Sequence, residues 1–126
     1  MIVKNPAPSI RLPKLKRKEI KTLTDFQVRV FLSAARGLRF EALFWMTVFT
    51  GLREGELFGL RWSDLDWEKK YLKIQRQLQR IQGKGIVFTE PKTASGKRMI
   101  VLSTGMIAKL REQYAHLQLE RMIAGD

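Results

Sequence analysis

The chain predicts an α+β domain, mainly α, in which a helical core carries a small three-stranded antiparallel sheet. Three observations point there. Apolar residues recur at helical spacing between residues 24 and 60, the period drops to two at Tyr71, and helical spacing returns after Ser103. With 126 residues, 44% of them apolar, the chain is long enough for one hydrophobic core and short for two.

Residues 1–21 precede the first periodic segment. They hold Pro6, Pro8 and Pro13 and the basic cluster Lys14, Lys16, Arg17, Lys18 and Lys21, with too few apolar positions for a core element. They read as an extended linker, either a solvated tail or an arm that tracks DNA. In Thr24-Asp25-Phe26-Gln27 an N-cap candidate is followed three residues on by Gln, a capping-box pattern, and Phe26, Val30, Phe31 and Ala34 recur at helical spacing. A helix is expected over about 24–36, with Gly37 as its stop. A second, over 38–50, is apolar nearly all round beyond its first turn, which predicts burial in the middle of the core. Gly51 breaks or bends it. A short third helix follows over 53–60, ended near Gly59, with Leu52, Leu57 and Leu60 available to pack inward.

Trp62-Ser63-Asp64-Leu65-Asp66-Trp67 is a turn rich in caps and aromatics. Beyond it, strands are expected over about 71–81, 86–90 and 98–102. The first two are joined through Gly83-Lys84-Gly85 and the last two through Ala94-Ser95-Gly96-Lys97. Ser103 or Thr104 can cap a final helix over about 105–123, whose apolar side uses Ile107, Leu110, Tyr114, Leu117 and Met122.

Charge narrows the partner. Against 24 Lys and Arg stand 12 Asp and Glu, a formal charge of +12 and an isoelectric point near 10.5, which favours a polyanion, nucleic acid first and an anionic membrane second. The longest apolar stretch, around 42–49, falls far short of the roughly 20 residues of a spanning helix. The prolines and basic run at the start do not resemble a signal peptide. No cysteine is present, which removes disulfides and thiolate metal sites, and a single histidine cannot build a histidine metal cage.

Two segments carry residues suited to phosphate chemistry. In Thr50-Gly51-Leu52-Arg53-Glu54-Gly55-Glu56-Leu57, Arg53 and Glu56 stand three apart on a helix, so the carboxylate can orient the guanidinium, whose planar fork matches two phosphate oxygens. The same spacing also fits a plain surface ion pair. In Pro91-Lys92-Thr93-Ala94-Ser95-Gly96-Lys97-Arg98, Lys92 flanks a tight turn, where a lysine can reach into a groove to neutralise a phosphate or protonate a departing oxygen, or can simply be solvated.

Taken in order, Gly-Leu-Arg-x-Gly-Glu-Leu, then Leu60-x-Trp62-x-Asp64-x-Asp66, then Pro-Lys-Thr-x-Ser-Gly-x-Arg before Ile100-Val101-Leu102 resembles the first half of the catalytic domain of tyrosine recombinases, the phage integrase family. The resemblance covers about residues 22–125 and implies a domain division of 1–21 as basic linker and 22–126 as part of a catalytic domain. It implies site-specific recombination of double-stranded DNA in the bacterial cytoplasm by a parent protein that oligomerises on its site. In that family a tyrosine hydroxyl attacks a phosphodiester, leaving a 3′-phosphotyrosyl link and a free 5′-hydroxyl, without metal or nucleotide cofactor. Carried over, Arg53 resembles the first catalytic arginine, Glu56 the acidic residue that supports it, and Lys92 the lysine that acts as general acid. Lys97 and Arg98 are weaker candidates for backbone-phosphate contacts, as are Lys14, Lys16, Arg17 and Lys18 in the linker.

The family's His-x-x-Arg segment, its later His or Trp and its nucleophilic tyrosine have no counterpart here. His116 has Leu119 three residues on, Tyr114 falls at core spacing within a helix, and Tyr71 opens a strand. The expectation is a fragment that cannot cleave DNA alone. A non-cleaving DNA-binding or regulatory module is the alternative, whereas an RNA-binding basic domain would explain the charge but not the Arg53/Glu56 and Lys92 segments. Trp45 and Trp62 read as core, and Trp67, in its turn, as either core or a stacking platform.

Overall fold

The computed structural model describes residues 13–125; the part of the expected basic linker at 1–12 lies outside them. Residues 13–24 have no regular secondary structure and are exposed, Lys14, Lys16, Arg17 and Lys18 included. Then come α1 (Asp25–Ala34), α2 (Glu41–Thr50), α3 (Glu54–Phe58), β1 (Leu65–Asp66), β2 (Tyr71–Ile74), β3 (Gln77–Ile81), β4 (Gly85–Thr89), β5 (Arg98–Val101) and α4 (Thr104–Ala124). The class is α+β with a small antiparallel sheet.

Local chemistry sets the helix ends. The Gln27 amide donates to Thr24 Oγ1 at 3.3 Å, and Gln27 Oε1 accepts from the Thr24 amide at 2.9 Å, closing the capping box. Ser103, not Thr104, caps α4, its hydroxyl accepting from the Met106 amide at 3.1 Å. Gly51 ends α2 in the left-handed region at φ 62°, which turns the chain straight into the segment that carries Arg53.

The core joins Ala42 and Met46 of α2, Leu52 and Leu57 around α3, Leu65, Leu72 and Ile74 of the sheet, and Leu102, Met106, Ile107 and Leu110 at α4. Lys109 of α4 pairs with Glu41 at the start of α2 at 2.7 Å and so fixes one helix on the other. Helix α2 departs from the expectation of full burial. It buries Ala42 and Met46, while Phe49 is 62% exposed and Phe40, just before it, is exposed too. An all-round apolar pattern tells of two covered faces, and among the described residues only one is covered. No helix among these residues is long and apolar enough to cross a membrane.

The strands also differ from expectation. The stretch 71–81 is two strands, broken at Gln75 and Arg76, and they enter different sheets: β1-β2-β5 in one and β3-β4 in the other, all pairs antiparallel. The break has a cause. Asp64, buried beneath, accepts from Gln75 Nε2 at 3.1 Å and from Arg76 Nη1 at 2.6 Å, which holds the chain against the turn after α3. Strand β3 then lies directly on α3, where a Cβ at Gly55 would come within 2.9 Å of the Leu78 carbonyl oxygen and one at Gly59 within 2.9 Å of the Arg76 carbonyl oxygen.

Candidate phosphate-handling site

Arg53 stands immediately before α3, in extended backbone at φ −68° and ψ 150°. Its side chain is 83% exposed, and its Nη1 lies 3.6 Å from Glu56 Oε1. Glu56, only 4% exposed, directs its stronger bonds elsewhere. Its Oε1 accepts from Arg98 Nη1 at 2.7 Å, while Oε2 accepts from Arg98 Nη2 at 2.9 Å and from the Arg53 backbone amide at 2.9 Å. The expected Arg53–Glu56 pairing is present only as this 3.6 Å ion pair, whereas the shorter bonds of Glu56 hold the Arg53 backbone and the Arg98 fork. The reason is geometric, since a guanidinium approaching from β5 meets the carboxylate edge to edge, as two parallel hydrogen bonds require.

These bonds set the electrostatics. Hydrogen bonding from Arg98, the largest influence, holds the Glu56 carboxyl down at about 2; burial opposes it, and the Arg53 amide and the charges of both arginines assist. The same pair raises Arg98 further. With two guanidinium groups against one carboxylate, the group keeps a charge of about +1.

Arg53 and Arg98 also line a polar cleft of about 420 Å³, with Gly51 on one side and Thr93, Ser95 and Gly96 on the other. The structure thus brings together the two segments singled out in the sequence. Thr93 Oγ1 and Ser95 Oγ are 3.0 Å apart and share one hydrogen bond, which leaves a hydroxyl hydrogen free to donate. Gly96 closes the loop on itself, because a Cβ there would lie 2.3 Å from Pro91 Cβ.

Lys92 is exposed and lies in the connection between β4 and β5 rather than at a hairpin tip. The expected hairpin fails because β4 pairs with β3 and β5 with β2. Among the described residues Lys92 is in no ion pair, and it does not line the cleft, although its neighbour Thr93 does. Lys97 pairs with Glu90 at 3.0 Å on the outside of the same loop. Sequence reasoning missed the Arg98–Glu56 fork and the Thr93–Ser95 hydroxyl pair. The fork left no local signal, as its partners are 42 positions apart, whereas a glutamate at the third position of α3 was a legible sign of a cap on the Arg53 amide.

The remaining candidates are used in packing or lie at the surface. Tyr114 stands edge-on to Trp62 at 5.0 Å between centroids and 5.8 Å from Trp67, and the two indoles stack at 6.0 Å. Arg111 lies 5.7 Å over the Trp67 ring. Trp45 stacks on Phe49 at 5.1 Å. His116 Nδ1 is 3.4 Å from Glu120 on the exposed side of α4.

The sequence and the fold have counterparts. The tyrosine recombinase XerC-like protein of Caldanaerobacter subterraneus subsp. tengcongensis is 35% identical over 116 residues, covering 86% of this chain and 30% of that protein. The prophage integrase IntR of Escherichia coli is 33% identical over 103 residues, covering 80% of this chain and 24% of its own length. The chain therefore spans less than a third of either relative. Among solved structures, the Tn1549 transposon integrase in complex with transposon right end DNA superposes with a TM-score of 0.75 at 31% identity, over 88% of this chain and 37% of that one. The same integrase in complex with a circular intermediate DNA gives 0.72 at 30% identity, over 79% and 33%. The family model for the phage integrase family matches residues 14–120, nearly the whole described length, and so takes in both walls of the cleft. A match of that extent makes the chain a member of the phage integrase family, the tyrosine recombinases.

Proposed function

We propose that the chain acts in site-specific DNA recombination, binding duplex DNA and supplying Arg53, Glu56 and Lys92 to a strand-cleavage site. The observation that carries this reading is the cleft in which Arg53 meets the Thr93–Arg98 segment. A phosphodiester gains charge on its non-bridging oxygens as it becomes five-coordinate, and an exposed guanidinium with a fixed backbone is suited to that charge. The hydroxyls of Thr93 and Ser95 offer neutral donors to the same group. Lys92, which precedes Thr93 in the loop, protonates the leaving 5′-oxygen in this reading. Solved neighbours that are integrases in complex with transposon DNA support duplex DNA as the partner.

In this reading residues 22–126 are part of a catalytic domain and 1–21 its basic linker. Lys14, Lys16, Arg17, Lys18 and Lys97 touch backbone phosphates, which position the protein without reading sequence. Arg98 serves the site through Glu56. Tyr71 and Tyr114, the two tyrosines, lie in a strand and in an aromatic cluster, so residues 1–126 alone bind DNA without cutting it. The parent protein works in the cytoplasm, oligomerised on its site, with the nucleophile supplied from outside these residues.

The test has two arms. The chain itself, incubated with nicked suicide DNA carrying the cognate site, yields no covalent protein–DNA band that survives denaturant; such a band would overturn the assignment of the nucleophile elsewhere. In a recombinase that carries these residues with a nucleophile, Arg53→Ala abolishes cleavage but weakens DNA binding only modestly, by about threefold to tenfold for one lost phosphate contact, and unchanged cleavage would remove Arg53 from the site. Lys92→Ala is partly rescued by DNA whose 5′-bridging oxygen is sulfur, which leaves without a proton; absence of rescue leaves Lys92 electrostatic support only. The alternative of a non-cleaving module rests on the lack of a His-x-x-Arg segment in these 126 residues, and it requires Arg53→Ala to change binding alone.

A further inference from the structure

We infer that Arg98 is a positioning residue for the cleavage site, one that acts through Glu56 to fix Arg53 and to free the Arg53 guanidinium for a phosphate. The inference rests on the phosphate-site reading above.

Three features support it. First, the fork between Arg98 and Glu56 permits essentially one orientation of the carboxylate plane, because both oxygens are engaged at 2.7 and 2.9 Å. The oxygen at 2.9 Å from Arg98 also accepts from the Arg53 amide, so the orientation chosen by β5 is passed to the backbone that begins α3. Second, Glu56 lies 3.6 Å from the Arg53 guanidinium. Without Arg98, an uncompensated carboxylate would cancel the charge of Arg53 and repel an approaching phosphate; with Arg98 engaged, that carboxylate is already neutralised. Third, Arg98 opens β5, where it is registered against Ile74, and the loop leading into it carries Thr93, Ser95 and Lys92. One ion pair therefore joins the segment of the candidate arginine to that of the candidate lysine, 39 positions apart by subtraction of 53 from 92.

The charged groups that face Glu56 are Arg98 from β5 and Arg53 at the start of its own helix. The 126-residue chain suffices for the experiment, in wild-type form and as Arg98→Gln, Arg98→Lys and Arg53→Ala. The first readout is the Arg53 backbone amide signal in NMR as a function of pH. In the wild type it stays constant from neutral pH down to below 4 and moves as Glu56 takes up its proton near 2. In Arg98→Gln the carboxyl keeps its burial but loses its main donor, and the amide titrates within or above the ordinary carboxylate range. Arg98→Lys keeps the charge, loses the fork and falls between the two, and it carries the same test should Arg98→Gln not fold.

The second readout is affinity for a short DNA duplex at fixed salt. Arg98→Gln weakens binding about threefold to tenfold, as Arg53→Ala does, and the double variant is no weaker than Arg53→Ala alone, the non-additivity expected when one residue acts through the other. Loss of thermal stability in Arg98→Gln with an unchanged Arg53 pH profile and with additive binding losses would overturn the inference and leave the pair merely structural. An Arg53→Ala chain that binds DNA like the wild type would instead overturn the phosphate reading, while the pH profile would still decide whether Arg98 holds Arg53.

Discussion

A carboxylate removed from water keeps its charge only where donors replace the lost hydration. Glu56 has three such donors, two from Arg98 and one from the Arg53 amide, and its carboxyl is held at about 2 against an ordinary 4.5. The folded state therefore binds the proton more weakly than the unfolded chain. By linkage, the stabilisation from Glu56 is fully present above about 4.5 and is lost as pH falls through that value toward 2. Glu56→Gln should remove this part of the acid sensitivity and lower stability by about 2–4 kcal/mol, below the loss for a pair buried on both sides because Arg98 is 36% exposed. Urea unfolding at pH 7 and pH 3 checks both statements: the gap between variant and wild type narrows at the lower pH. At this scale the sequence disclosed that Arg53 and Glu56 belong together but not how. Helical spacing brings side chains to one face, whereas the partner that decides the geometry comes from a strand 42 positions away.

The elements were legible wherever a local rule governs them. Thr24 with Gln27 marks the start of α1, Gly51 the end of α2, and Ser103 the start of α4, each through bonds made within four residues. The sheets were not: the apolar alternation of Leu72 and Ile74 lapses at Arg76, but nothing in the sequence signals that Asp64 will pin Gln75 and Arg76. The packing of β3 on α3 depends equally on distant contacts, through Gly55 and Gly59. Gly59→Ala tests it. Its backbone, at φ −81°, accepts an alanine, so the cost is steric: the new Cβ would meet the Arg76 carbonyl oxygen and Gln77 Cα, both at 2.9 Å and both backbone. Strand β3 must move away, with a loss of about 1–3 kcal/mol in urea unfolding. Amide exchange should quicken in β3 and β4 while β2 and β5, which belong to the other sheet, keep their protection. Equal acceleration in both sheets would mean that the hairpin is not an independent element.

At the scale of the whole molecule, composition favours a polyanionic partner. Glu56, Asp64 and Glu41 are engaged in holding elements together, through Arg98, Arg76 and Lys109. The basic run before α1 distinguishes two outcomes that composition could not separate. An arm that follows DNA releases counterions when it binds, and each neutralised phosphate steepens the fall of log affinity with log salt by about 0.9. Replacing Lys14, Lys16, Arg17 and Lys18 together by alanine should then flatten that slope by about 3 to 4 and weaken binding alike on cognate and random duplexes, since phosphate contacts carry no sequence information. Arg53→Ala should flatten it by only about 1, because it removes a single contact. Salt titrations by fluorescence anisotropy on both duplexes give these slopes directly. If the fourfold variant keeps the wild-type slope, the segment is a solvated tail, and the charge that draws DNA must lie on the folded part, around the loop that carries Lys92 and Lys97.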